Sequence, residues 1–133
     1  MILLTPGLRA ALQANAGNIN LPGHDPLPLV KLFNPLGAAT WLATELYEDG
    51  DTLFGLADLG FGCPGLGVFS LSEIASVRLP YGLRIERDIA FGTDRPLSVW
   101  AEWARRAGSI LQAESLLRRA ARGASELPTG NGG

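Results

Sequence analysis

Cys63, His24 and the adjacent Asp25 are the residue types of a thiol nucleophile with its base and orienting group. Nothing in their spacing brings them together. A single cysteine reads as a small buried hydrophobe, and a single histidine in a Pro/Gly-rich loop reads as solvated. Gly60-Phe61-Gly62-Cys63-Pro64-Gly65 matches the GxGxxG pattern of a dinucleotide loop. That chemistry needs a helix to start at the loop, so that free amides meet the pyrophosphate. Pro64 has no amide, Gly65-Leu66-Gly67 starts a helix poorly, and the next helix cap is Ser70. The expectation is a tight inter-strand loop with no bound cofactor. One His and one Cys leave only carboxylates for a metal, and Glu48, Asp49 and Asp51 do not continue into a calcium loop. No catalytic residue and no metal ligand is assigned, and the reading leans away from an enzyme. An enzyme with its site at the Gly-rich loop around Cys63 is the alternative.

The carboxylates carry more weight. Glu45, Glu48, Asp49, Asp51, Asp58 and Glu73 lie between Leu32 and Val77, a stretch without Lys or Arg. Two alternating apolar runs joined by Asp49-Gly50 read as a β-hairpin with a two-residue type I′ turn, φ being positive at both turn residues. In that register Leu46 faces Leu53 and Leu42 faces Ala57 on a core-like side. Tyr47 faces Thr52, Glu45 faces Phe54 and Trp41 faces Asp58 on the other side. That second side sets aromatic anchors among charges, as interfaces with basic partners do. Trp41, Glu45, Tyr47, Glu48, Asp49, Asp51, Phe54 and Asp58 are therefore the expected partner-binding residues. The competing expectation is that a helix covers this side.

These groups must be held by a chain of 133 residues, enough for one domain with its own core. Charged residues are 18% and apolar ones 47%, a balance that folds. A single cysteine excludes an internal disulfide and fits a reducing cytoplasm. The amino terminus reads as neither signal peptide nor membrane span. No Lys/Arg run exceeds two residues and no aromatic interleaves a basic patch, so direct nucleic-acid binding is not expected.

Thr5-Pro6 opens a short helix that Gly17 ends, and Gly17 to Pro28 is a loop. Leu29 to Phe33 is a short strand stopped by Asn34-Pro35. Ser70 and Glu73 have capping-box spacing, with Phe69 and Ile74 as the hydrophobic staple, so a short helix begins there. Leu83, Ile85, Ile89 and Phe91 alternate as a half-exposed strand. Asp94 and Pro96 open a long helix whose stripe is Leu97, Trp100, Ala101, Ala104 and Leu111, with Gly108 a point of division. This order predicts an α+β fold, mainly antiparallel, with residues 1–122 as the single domain. Residues 123–133, without apolar periodicity, are expected to stay disordered.

Lys31-Leu32-Phe33-Asn34-Pro35, Ala39-Thr40-Trp41-Leu42, Thr44-Glu45-Leu46, Phe54 to Gly60, Ser70 to Glu73 and Glu86-Arg87-Asp88 recur in order. On these motifs the chain resembles, from about Leu3 to Ile110, the bacterial family called domain of unknown function 2958. The resemblance implies a small cytoplasmic protein, often encoded on mobile genetic elements, and assigns no activity. With the acidic hairpin it supports a non-enzymatic interaction protein that covers a basic, nucleic-acid-handling surface of a host protein, an inhibitor of a host defence complex in the sharpest version. The partner is then a protein with a basic surface, neither nucleic acid nor membrane. A homodimer paired through the Trp100/Trp103 helix is the third reading.

Overall fold

The computed structural model describes residues 2–126. Thr5 caps the first helix, α1 (Pro6–Gly17), by accepting the Leu8 amide at 3.1 Å, and Pro6 supplies the fixed φ of a first turn. Five strands follow: β1 (Val30–Phe33), β2 (Thr40–Leu46), β3 (Thr52–Asp58), β4 (Gly65–Ser70) and β5 (Glu86–Arg87). They form one antiparallel sheet in the order β4-β3-β2-β1-β5. Between β4 and β5 lies α2 (Leu71–Ser76), where Ser70 accepts the Glu73 amide as the capping box requires. The chain closes with α3 (Leu97–Ala107) and α4 (Ile110–Glu126), separated at Gly108, whose φ is 82°. The fold is α+β in a single domain.

Helices cover both faces of the sheet. On one, Leu8 and Leu12 of α1 pack with Ile74 and Ile85 on Val30, Leu32, Trp41, Ala43, Leu46 and Leu53. On the other, Leu97, Trp100 and Ala104 of α3 and Ile110, Ala113 and Leu117 of α4 pack on Leu42 and Leu56. Every residue of β2 is consequently buried, which no alternating in/out pattern foretells.

The hairpin departs from expectation at two places. Tyr47 still pairs with Thr52 and Glu45 with Phe54, but Thr44 forms a bulge, beyond which Trp41 pairs with Ala57 and Thr40 with Asp58. The extra residue turns Trp41 to the α1 face, while Glu45 and Asp58 lie on the α3/α4 face. The turn is also longer than two residues: the Gly50 amide bonds the Tyr47 carbonyl at 3.0 Å, and φ is positive at Gly50 (70°) but not at Asp49. At Gly55 the strands approach so closely that a Cβ would lie 1.8 Å from the Leu42 carbonyl oxygen.

Three further expectations change. Gly65 to Ser70, expected as loop and helix entry, is a strand held on β3 from Thr52↔Ser70 to Ala57↔Gly65. The strand expected over 83–91 contracts to Glu86-Arg87, with Ile89 exposed. Residues 123–126, expected in the tail, continue α4, and 127–133 lie outside the described residues.

Candidate functional site

The acidic stretch is mostly consumed by the fold. Glu45 is 2% exposed; His24 Nε2 donates to its Oε1 at 2.8 Å, and the Thr44 hydroxyl donates to its other oxygen. Asp58 is 1% exposed, accepting the Gly60 amide at 2.8 Å and the amide of Ile110, the first residue of α4, at 2.9 Å. A carboxylate at a helix N-terminus satisfies an orphan amide and opposes the helix dipole. Glu45 and Asp58 are therefore internal supports, and the expectation that they join an exposed docking face is corrected. Trp41 is buried on the opposite face and Phe54 is half-buried beside α3, so neither anchors such a face. Between the two competing expectations for this side, the helix-covered one is what the structure shows.

The turn residues remain at the surface. Asp49 accepts the amides of Asp51 and Thr52 at 2.9 and 2.8 Å, and the Thr52 hydroxyl at 2.6 Å. The Thr52 hydroxyl is the main cause holding Asp49 below its ordinary carboxyl value. Asp51 accepts the Ser70 hydroxyl at 2.6 Å and the Ser72 amide at 2.7 Å, tying the turn to the start of α2, and the Ser70 bond chiefly lowers its pKa. A cation from outside the stretch also reaches the turn: the Arg9 guanidinium donates to the Gly50 carbonyl at 3.0 Å.

Glu48 and Asp49, both exposed, form the lip of an open groove of about 840 Å³. Its other walls are Gln13, Ala16 and Gly17 of α1, with Ile19, Leu46 and Tyr47. The last turn of α1 contains no basic residue that would offset these two carboxylates. The groove thus combines apolar walls with negative groups on its rim, the complement of a Lys or Arg side chain with its aliphatic stem. Sequence reading found Tyr47, Glu48 and Asp49 but missed the α1 wall. The available signal was Ile19, an apolar residue stranded in a polar loop.

The nucleophile constellation is not assembled. Asp25 accepts the Ser98 amide and hydroxyl, His24 is engaged with Glu45, and neither lines the shallow groove of Leu59, Phe61, Cys63, Leu66 and Val68. Cys63 is exposed, correcting the expectation of a buried thiol. No helix follows the glycine loop; β4 does, so the loop offers no helix N-terminus to a phosphate. Among the described residues no group of three His, Cys, Asp or Glu could hold a metal ion, and no helix is long and apolar enough to cross a membrane. Trp100 is buried against Phe91, ring centroids 6.0 Å apart, which removes it from the surface a Trp100/Trp103 dimer needs.

The chain belongs to the family described as protein of unknown function DUF2958, whose model matches residues 3–111. No curated protein and no solved structure matches it significantly.

Proposed function

We propose that this protein is a non-enzymatic interaction module that covers a basic surface of a protein partner, with the acidic lip formed by Glu48 and Asp49 as the docking edge. One observation supports it above others: two exposed carboxylates and the C-terminal end of α1 converge on an open groove whose walls include Ile19 and Tyr47. Such a rim selects basic partners through charge and raises association rates at low salt. In its sharpest form the proposal makes the protein a mobile-element product that occupies a nucleic-acid-handling surface of a host defence protein. The docking set differs from the eight residues read from sequence: Trp41, Glu45, Asp51, Phe54 and Asp58 leave it, and Gln13 and Ile19 enter.

The test compares wild type with Glu48→Lys as immobilised baits in host lysate, read by quantitative mass spectrometry. Glu48 is exposed, so the reversal leaves the fold intact, which circular dichroism checks. The expected result is a partner retained by wild type, depleted on Glu48→Lys, and released as salt shortens the Debye length from about 10 Å at 0.1 M to about 3 Å at 1 M. Equal retention on both baits, indifferent to salt, refutes the proposal.

A further inference from the structure

Strand β4 is an edge of the sheet, and its sequence Gly65-Leu66-Gly67-Val68-Phe69-Ser70 has no charge and no proline to guard that edge. The Leu71 amide bonds the Asp51 carbonyl at 2.9 Å, which makes 51 and 71 a hydrogen-bonded pair. Counting by twos along the ladder, Phe69, Gly67 and Gly65 also face β3, so the amides and carbonyls of Leu66, Val68 and Ser70 point outward. The side chains of Leu66 and Val68 are 53% and 61% exposed and, with Leu59 and Phe61, make an apolar patch along this open edge.

The charges at the two ends of the edge differ. Asp51 and Glu73 stand at the Ser70 end, close to Glu48 and Asp49. At the Gly65 end the glycine loop meets the end of α3: a Cβ on Gly108 would lie 4.0 Å from the Gly62 carbonyl, and the last turn of that helix carries Arg105 beside Arg106, which pairs with Glu102 at 2.8 Å.

We propose that β4 pairs antiparallel with β4 of a second copy about a two-fold axis at Gly67, extending the five-stranded sheet to ten strands across the dimer. This alignment sets Leu66 opposite Val68 of the second copy, and Val68 opposite its Leu66, so apolar side chains meet on the α3 face. It also makes 66 and 68 the hydrogen-bonded pair, matching the amides that point outward. Charge selects the direction: antiparallel pairing brings the acidic end of each copy toward the Arg105 end of the other, whereas parallel pairing stacks acid on acid. The second copy is thereby favoured over an arbitrary strand, because this edge is its own complement in both side-chain pattern and charge. The inference is independent of the groove at Glu48 and Asp49.

The experiment is sedimentation equilibrium over a concentration series, combined with a nitroxide on the native Cys63, which is exposed. The expected mass rises with concentration from 14.1 kDa toward twice that value. In the proposed register each Cys63 lies four residues from the two-fold axis at Gly67, so the two Cys63 are eight residues apart along the strand direction. The spin–spin separation is then about 26 Å at ~3.3 Å per residue, against one strand spacing of about 5 Å for a parallel pair. Val68→Lys, an exposed position, should hold the protein at monomer mass with unchanged circular dichroism. The inference is overturned by monomer mass at every concentration, by a dimer that survives Val68→Lys, or by a separation near one strand spacing. Monomer mass together with β4 amides protected from hydrogen exchange would assign the edge to another part of the same chain and overturn it equally.

Discussion

Replacing Asp58 by Ala is the sharpest test of how sheet and C-terminal helices are joined. The carboxylate is almost fully buried, and it holds the Gly60 amide at 2.8 Å and the Ile110 amide at 2.9 Å. Removing it leaves the buried Ile110 amide without its partner where water has little access, while the amide of the exposed Gly60 can turn to water. A buried amide left unpaired costs about 1–3 kcal/mol, so the variant should lose at least that. Small domains have about 5–15 kcal/mol in total, so this single change takes a large fraction of stability. Part of the loss is specific to α4, whose first amide and dipole lose their anion. Urea unfolding followed by far-ultraviolet circular dichroism and by the fluorescence of its three tryptophans should show a lower midpoint with an unchanged slope. Asp58→Asn should fall between, because its amide oxygen retains one of the two bonds. A loss below about 0.5 kcal/mol for Asp58→Ala, the size of an ordinary surface change, would refute the buried bridging role and return Asp58 to the surface.

Gly55→Ala drives a Cβ to 1.8 Å from the Leu42 backbone oxygen, where no flexible side chain can yield, and should cost at least the ~1–3 kcal/mol of an overpacked core; a melting temperature equal to wild type counts against the β2–β3 approach. Asp49 and Asp51 both titrate below the ordinary value of 3.8, so the folded turn keeps them ionised where the unfolded chain protonates them. Their contribution to stability is complete above that value and is lost as pH falls below it through the lower folded values. Carboxyl carbon chemical shifts should show this, and Thr52→Val should raise the Asp49 midpoint; no movement would remove the Thr52 hydroxyl as the cause. Cys63→Ala should change stability by less than about 0.5 kcal/mol, since the thiol is exposed, and the wild-type thiol should react with a maleimide without denaturant. Protection of the thiol until unfolding would contradict that exposure.

Local chemistry is what the sequence by itself determined. The Thr5-Pro6 start, the Ser70 cap, the division at Gly108 and the pairing of Leu46 with Leu53 follow from cap chemistry, glycine and apolar alternation. All act within a few residues, so they are legible without a fold. The family could be read from the same chain, because its motifs recur as short separated segments. Tertiary structure decided which carboxylates face water. Glu45 and Asp58 look like surface groups in an acidic hairpin, yet each is buried by a partner distant in sequence, His24 in one case and Ile110 in the other. A bulge at Thr44, invisible to alternation, moved Trp41 to the opposite face. Strand β4 has too little β-forming composition to announce itself and exists because β3 supplies a ladder for it. The groove at Glu48 and Asp49 likewise required α1 to pack beside the hairpin, a juxtaposition set by burial of Leu8 and Leu12 and by no motif at the groove itself. Non-local burial assigns a charge to core or surface, and that information resides in the packing rather than in any one segment.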